Sequence, residues 1–392
     1  MQLRIARPTR RWRALLIIGA LGSGAFPPPS LAGQDRPVTL STTGDRSPDD
    51  LTGENRYPLS VTGFGVGDYS FDHRTGDNTA RAGKMAVAFF RELSRRVWFF
   101  GQLTTALAAG DGGSDADGEV ATEIEIDNLL VNFTPGEGSP LSVAFGRFDV
   151  PVGFERDDEP LNFQATTSFN FEVGRPAKMV GLIGRWVVSP SLEVTGIAGN
   201  GWDAQVDRNQ GKTVGLRLGL LPTDRTSFGL SGLIGNEGEP EAVHERYLLS
   251  ADYALEPGNG WILAGEANLG GDHGALEDGS DARWYGATLT VFRRMSEHFG
   301  ATVRGETFRD DDGARTGRIQ TLRSLTVSPI YFVGTGREGI FANVEHTTFR
   351  IPRFQIRAEA RLDHSSADFF GSEERGTHRW ELRYTLQLVT TF

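Results

Sequence analysis

Segments of about ten residues in which apolar and polar side chains alternate recur along this chain from Tyr57 onward. Residues 353–363 (RFQIRAEARLD) place apolar side chains at every second position and charged or polar ones between them. Residues 213–220, 298–308 and 379–388 repeat the pattern. Successive side chains of a β-strand face opposite sides, so this period of two predicts strands. We therefore expect an all-β protein.

Alternation alone also fits a soluble antiparallel sheet, but three further features favour a transmembrane barrel. Many polar-face residues are charged, as on the wall of a water-filled lumen. The connections alternate between short turns, such as residues 135–140, and long acidic loops, such as residues 68–80 and 110–119. Tryptophans fall at or near segment ends, where aromatic girdles meet the membrane interface: Trp98, Trp186, Trp261, Trp284 and Trp380.

The number of strands follows from the order of the connections. Counting every alternating segment gives an odd number, whereas two termini in the periplasm require an even one. We assign residues 319–333 to a long external loop, residues 341–349 to a returning strand and residues 351–352 to a short inner turn. The prediction is an antiparallel up-and-down barrel of about 16 strands, with 14 or 18 as alternatives, wide enough for an aqueous channel.

Composition excludes several other classes of protein. A net charge of -11 argues against a nucleic-acid partner, and the absence of Cys excludes disulfides and thiolate sites. A mean hydropathy of -0.31, with only one long apolar run, excludes a helical membrane bundle. The His residues fit no hydrolase motif, and the acidic loops lack EF-hand spacing. We assign no catalytic residues, cofactor or metal.

The amino-terminal region carries an export signal. A basic head precedes an apolar run at residues 14–26 and a small-x-small site at residues 30–32, which predicts a signal peptide over residues 1–32. A membrane anchor is the alternative. Residues 33–56 are polar and aperiodic, so we expect a flexible periplasmic leader, with a short plug as the alternative. The barrel domain then occupies residues 57–392.

The connection at residues 151–178 combines several Phe residues with many charges, which is unusual for a loop lying wholly in water. We predict that it folds inward and narrows the pore, with an external lid as the alternative. Its charges are candidate selectivity residues in the constriction. They are Arg156, Asp157, Asp158, Glu159, Glu172 and Arg175.

Charges of both signs occupy the predicted lumen face. The mixture favours a weakly selective pore over a dedicated anion site, and the only lysines are Lys84, Lys178 and Lys212. The alternative is that these charges only keep the lumen wall hydrated and have no role in selectivity. The predicted pore-lining residues are Glu123, Glu125, Asp127, Arg217, Arg304, Glu306, Arg357, Glu359, Arg361, Glu381 and Arg383.

Residues 145–185, 200–213, 304–313 and 357–365 resemble the OmpL-like β-barrel porin 2 group of Gram-negative outer-membrane porins. The terminal residues look like the strand signal read by the barrel-assembly machinery: Tyr384, Leu386, Leu388 and Phe392. The resemblance implies diffusion of small hydrophilic solutes or ions, contact with outer-membrane lipid and lipopolysaccharide, and a homotrimer. The alternatives are a structural or adhesive barrel and a lipid-hydrolysing enzyme.

Overall fold

The computed structural model describes residues 58–108, 121–136, 138–209, 211–238, 243–334, 340–341, 344, 347–372 and 376–392. Within them, sixteen strands close into one antiparallel barrel, which confirms the predicted fold class, and β16 and β17 form a separate hairpin. The strands are β1 (Ser60–Asp72), β2 (Asn78–Glu92), β3 (Val97–Ala108), β4 (Ala121–Phe133), β5 (Leu141–Asp149), β6 (Lys178–Ser189), β7 (Leu192–Gly199), β8 (Thr213–Thr223), β9 (Thr226–Glu237), β10 (His244–Gly258), β11 (Trp261–His273), β12 (Ala282–Arg294), β13 (Phe299–Asp310), β14 (Gln320–Val333), β15 (Phe354–Ser365), β16 (Phe370–Ser372), β17 (Gly376–His378) and β18 (Trp380–Thr391).

The barrel closes where its first and last strands pair. β1 lies between β2 and β18, and the N–H of Gly63 donates to the carbonyl of Phe392 at 2.9 Å. β1 therefore begins, and β18 ends, at the same edge of the barrel. We call this edge the inner rim and the opposite edge the outer rim.

The predicted period of two is visible in the burial of strands such as β8, β12 and β14. On β8, Leu216, Leu218 and Leu220 are exposed on the outside of the barrel, whereas Arg217 between them is buried inside. An apolar outer face and a polar interior are what a transmembrane barrel requires. No helix in the described ranges is both long and apolar enough to cross a membrane.

The assignment of residues 319–333 to an external loop is wrong, because β14 crosses the barrel between β13 and β15. Its inward side chains include Ser324, Thr326 and Ser328, which are small and uncharged. Pro329 has no N–H to donate, and the pairing of β14 with β15 is interrupted there. The assignment fails because it depends on residues 351–352 forming a short inner turn, which would require residues 341–349 to be the returning strand.

The described residues within 341–349 form no strand of the barrel, and residues 351–352 belong to a longer connection between β14 and β15. The described part of the inner-rim connection between β14 and β15 folds into the barrel, where Phe341, Val344, Phe349 and Ile351 are buried. Its apolar side chains pack on the inner wall instead of facing lipid. The predicted number of strands is still correct, because β14 takes the place of residues 341–349, which were expected to run back to the inner rim.

Two smaller expectations also need correction. The loop predicted at residues 68–80 is a short connection at residues 73–77, since β1 and β2 extend further than expected. Trp98 and Trp284 were expected in the aromatic girdle at the membrane interface. Both side chains instead pack inside the barrel, with exposed fractions of 6% and 0%. Trp186 and Trp380 are half-exposed on the outer face, as a girdle requires.

Candidate functional site in the barrel interior

The connection between β5 and β6, residues 150–177, folds into the lumen as predicted, and we call it the constriction loop. It contains a 3-10 turn at Glu159–Leu161 and the short helix α1 (Phe169–Gly174). The Ser168 hydroxyl caps α1 by accepting from the N–H of Phe171 at 3.1 Å. α1 packs against β11, β12 and β13, so the loop crosses the barrel and narrows it.

Arg357 on β15 holds the first half of this loop. Its guanidinium donates to the backbone carbonyls of Gln164 and Asn162, each at 2.7 Å, and to that of Glu159 at 3.0 Å. The Arg357 side chain is fully buried. A buried charge is tolerated only where hydrogen bonds satisfy it, and here the loop backbone supplies them.

Arg304 and Arg361 hold the second half in the same manner. Arg304 donates to the carbonyl of Thr166 at 2.6 Å and to the carboxylate of Glu155 at 2.7 Å. Arg361 donates to the carbonyl of Thr167 at 2.5 Å. Arg304, Arg357 and Arg361 therefore face inward, as predicted for pore-lining residues, but the constriction loop covers them.

Wall carboxylates accept the loop's backbone N–H groups. Buried backbone donors and acceptors both need partners, so a loop inside a barrel requires wall groups of both kinds. The mixed signs on the wall meet this requirement. The accepting pairs are Glu266 with the N–H of Phe154 (2.7 Å), Glu306 with that of Phe169 (2.6 Å) and Glu359 with that of Ala165 (2.8 Å).

A cluster of lysines and acids, which we call the lysine–acid cluster, fixes the opposite side of the loop. Lys178 lies 2.8 Å from Asp127 and 3.4 Å from Asp157 and also contacts Asp149. Lys84 lies 3.4 Å from Asp157 and 3.7 Å from Glu159. Sequence reasoning missed Lys84, Lys178 and Asp149, because nothing in the local pattern brings four strands and a loop together.

The loop acids of this cluster differ in acidity. Burial acts to raise the pKa of Asp157, but the ammonium groups of Lys84 and Lys178 outweigh burial and lower it to about 2. Burial raises the pKa of Asp158, whose carboxylate accepts from Gln102 at 2.7 Å. Burial also raises the pKa of Glu159. Of these three acids, Asp157 is therefore the one that stays ionised most readily.

The other predicted constriction residues are bound within the loop or to the wall. Arg156 is buried and donates to the carbonyl of Gly153 at 3.1 Å. Glu172 accepts from the Thr167 hydroxyl at 2.7 Å. Arg175 donates to Glu266 at 3.3 Å. These contacts link the loop to itself and to β11.

The remaining predicted wall residues have different surroundings. Arg217 forms a two-pronged ion pair with Asp252 on β10, at 2.5 and 2.8 Å, which neutralises it. Glu125 pairs with Arg147. Asp127 sits at a bulge in β4, where the inward face changes from odd to even positions. The side chain of Glu123 lies outside the described residues.

An open cavity of about 720 Å³ lies between the constriction loop and the wall formed by β1, β2 and β18, and we call it the vestibule. Of the predicted pore-lining residues, Glu381 and Arg383 reach it, 2.9 Å apart. Sequence reasoning missed its other charged residues, although the alternation in residues 68–72 was the available signal. The charged lining residues are Asp68, Asp72, Asp77, Arg81, Glu381 and Arg383.

An aromatic cluster fills the lumen near the inner rim on the far side from the vestibule. Phe163 of the constriction loop stacks on Phe292 of β12 with ring centroids 4.4 Å apart. Phe163 also meets Phe349 of the inner-rim connection at 5.2 Å. Segments entering from the two rims thus touch inside the barrel. On the vestibule side, Phe341 packs on Phe64 of β1 at 4.9 Å.

Among the described residues, no three acidic or His side chains are arranged to hold a metal ion. A closed 16-stranded barrel with an apolar outer face and a loop folded across a charged lumen defines a porin. The model of the beta-barrel porin-2, OmpL-like family matches residues 99–392. The chain belongs to this family and is an outer-membrane porin. Among curated proteins, no sequence matches it significantly.

Solved structures share the fold at low sequence identity. The outer-membrane channel DcaP of Acinetobacter baumannii is 11% identical, with a TM-score of 0.59, over 86% of this chain and 97% of that one. An anion-selective porin from Comamonas acidovorans is 9% identical, with a TM-score of 0.60, over 86% and 100%. The trimer form of OmpT of Vibrio cholerae, folded in vitro, is 10% identical, with a TM-score of 0.56, over 86% and 99%.

Proposed function

We infer that small hydrophilic solutes and ions cross this porin beside β1, β2 and β18, and that the passage prefers cations. The observation that carries the proposal is the vestibule, whose lining holds four carboxylates against two guanidinium groups. An excess of one sign along a narrow aqueous path raises the local concentration of the opposite ion.

The packing beside the vestibule, along β12 to β15, supports this route. Arg304 and Arg357 have no exposed surface, and the ring of Phe292 beneath them is equally covered. Solutes on that side would have to displace the constriction loop and its buried hydrogen bonds. The proposed role of Arg304, Arg357 and Arg361 is therefore to position the loop, whereas Glu381 and Arg383 face the solute.

The test is the reversal potential in planar bilayers under a KCl gradient. We expect stepwise conductance with a cation-selective potential. The double variant Asp72→Asn/Glu381→Gln should move the potential toward zero, and Arg81→Gln should move it the opposite way. Glu277→Gln is the matched control, since Glu277 is exposed on a loop outside the vestibule. An anion-selective wild type, or variants without effect, would refute the route.

The proposal makes the protein a channel without catalytic activity. A barrel with a structural or adhesive role would insert into bilayers yet give no conductance steps at any voltage. A lipid-hydrolysing enzyme would release fatty acid from phospholipid, and one Ser or His substitution would abolish the release. Stepwise conductance without release of fatty acid would support the channel over the other two functions.

Assembly and export complete the proposal. The trimer form of OmpT supports a homotrimer for this chain. Crosslinking in native membranes, followed by gels run without heating, tests it, and a monomer band alone would contradict it. Export with cleavage after Ala32, leaving the leader at residues 33–56 and the barrel at residues 57–392, is tested by sequencing the amino terminus of the mature protein.

A further inference from the structure

The lumen wall beside the vestibule changes from polar to apolar along β1. The side chains of Asp68, Ser70 and Asp72 line the vestibule. The next two inward positions toward the inner rim are Val66 and Phe64, and both side chains are buried. The inner face of a channel-forming barrel is ordinarily polar. The inner half of β1 therefore departs from the pattern that its outer half follows.

β18 changes at the same height. Strand register places Gln387 opposite Asp68 and Val389 opposite Val66. Gln387 lines the vestibule, whereas Val389 is buried. Successive inward side chains on one strand are about 7 Å apart. The wall of the passage thus turns from polar to apolar within one such step, on two neighbouring strands together.

Polar side chains flank this pair of valines, but both are engaged elsewhere. On β2, the ammonium group of Lys84 lies 3.4 Å from the carboxylate of Asp157 in the constriction loop. On β15, the side-chain carbonyl of Gln355 accepts from the guanidinium of Arg357 at 3.0 Å. Neither group is left to hydrate an ion beside the valines.

Phe341 of the inner-rim connection covers the apolar part of the wall. Its ring meets that of Phe64 edge to face, with centroids 4.9 Å apart and an interplanar angle of 84°. Val66, Val389 and Ala86 of β2 belong to the same packed cluster. The exposed fractions are 0% for Phe64, 1% for Val389 and 3% for Phe341. Side chains on the wall of a wide aqueous lumen would be exposed, so the passage is closed to water at this height.

We call Phe64, Val66, Val389 and Phe341 the apolar layer. An apolar constriction in an aqueous pore opposes ions by losing its water. An ion that enters it gives up hydration, and hydrocarbon side chains supply no polar group in exchange. The charges of the vestibule attract an ion to this layer but do not help it across.

We propose that the apolar layer is the barrier that limits the current through this porin. The carboxylates of the vestibule select the charge of the ion, and the apolar layer sets the rate at which it passes to the inner rim. Phe341 and the two valines are therefore permeability-determining residues. The inference rests on the proposed route beside β1, β2 and β18.

The experiment measures single-channel conductance of the full-length protein in planar bilayers with the same KCl concentration on both sides. Thr has the shape of Val with a hydroxyl in place of one methyl group, so Val66→Thr/Val389→Thr adds polarity without changing the width. We expect the conductance to rise about twofold or more, because the hydroxyl groups keep water in the layer. Val327→Thr is the matched control, since Val327 is exposed on the lipid-facing side of β14, and it should leave the conductance unchanged.

A second pair of variants separates polarity from size. Leu and Asn have similar volumes, and both are smaller than Phe. Phe341→Asn should therefore raise the conductance well above that of Phe341→Leu. Equal conductance of these two variants would mean that Phe341 obstructs by size alone, and it would overturn the proposal.

Reversal potentials under a KCl gradient distinguish failure of the barrier from failure of the route. The apolar-layer variants should keep the cation-selective potential of the wild type, because the vestibule carboxylates are intact. A potential that responds to Asp72→Asn/Glu381→Gln, combined with a conductance unchanged by Val66→Thr/Val389→Thr, would overturn the barrier and leave the route standing. A potential that ignores Asp72→Asn/Glu381→Gln would overturn the route itself. Heat-modifiable migration on gels confirms that each variant is a folded barrel, and if the double valine variant does not fold, the comparison at Phe341 decides.

Discussion

The guanidinium of Arg357 donates to the backbone carbonyl of Gln164 at 2.7 Å, and this bond joins the barrel wall to the constriction loop. The two residues are 193 positions apart in the sequence. Because the same guanidinium also reaches the carbonyl of Asn162, one buried charge satisfies several buried acceptors. Arg357 therefore holds the constriction loop against the wall, and its proposed role is to position that loop.

Replacing Arg357 by Ala should release the first half of the loop. Each buried carbonyl left without a donor loses about 1–3 kcal/mol, so the loop should lose several kcal/mol of positional stability. Single-channel recordings should show larger and noisier open currents than the wild type. Arg383→Gln is the control, since Arg383 faces the vestibule, and it should change selectivity but not noise. A quiet Arg357→Ala channel would contradict the proposed role.

The contact between Phe163 and Phe349 should couple the loop to the inner-rim connection. Either Phe→Ala change should lower the free energy of unfolding by about 3–5 kcal/mol, because each leaves a cavity in the cluster. The double variant should lose less than the sum, with a coupling of about 0.5–1.5 kcal/mol. Urea unfolding in lipid vesicles measures this, with the lipid-facing Phe145→Ala as control. Strict additivity would show that the two segments are independent.

Acidification should loosen the loop through Asp157. Its pKa is lowered from 3.8 to about 2, so its ion pairs contribute fully above 3.8 and are lost as the pH falls toward 2. Current fluctuations should rise in that window, and Asp157→Asn should show them already at neutral pH. Asp158 and Glu159 act in the opposite direction. Burial raises their pKa, so protonation at low pH removes an unfavourable buried charge from the loop. Fluctuations that begin well above 3.8 would point to another group.

Gly146 of β5, the strand that leads into the constriction loop, should be irreplaceable. Its φ is +143°, and a Cβ there would lie 1.8 Å from the carbonyl oxygen of Leu129. Gly146→Ala should therefore abolish the heat-modifiable barrel on gels. Gly305→Ala is the matched change on β13, where a Cβ would meet no atom within 4 Å, and it should assemble normally. Normal assembly of both would mean that β4 can shift to accept the side chain.

The sequence alone predicts the barrel because water and lipid impose a period of two on every strand that meets both. β14 and β15 both show this period in their burial, but the pattern does not distinguish β14 from the apolar inner-rim connection that follows it, so the order of the crossings was not predictable. The interior was less predictable. Arg304 and Arg357 were assigned to the lumen wall, but only the folded loop determines that backbone carbonyls cover them. Lys84 and Lys178 meet in the lysine–acid cluster through strand order, which no local pattern encodes.

The most direct test of the proposed route is the accessibility of single cysteines introduced into the open channel. The native chain has no Cys, so each engineered thiol is unique. Ser70→Cys and Thr385→Cys line the vestibule, whereas Thr302 is fully buried, and its hydroxyl donates to the carbonyl of Phe163 at 2.8 Å. A bulky thiol reagent should reduce the current through the two vestibule variants and leave Thr302→Cys unaffected. Rapid block at Thr302→Cys, with no block in the vestibule, would contradict the route.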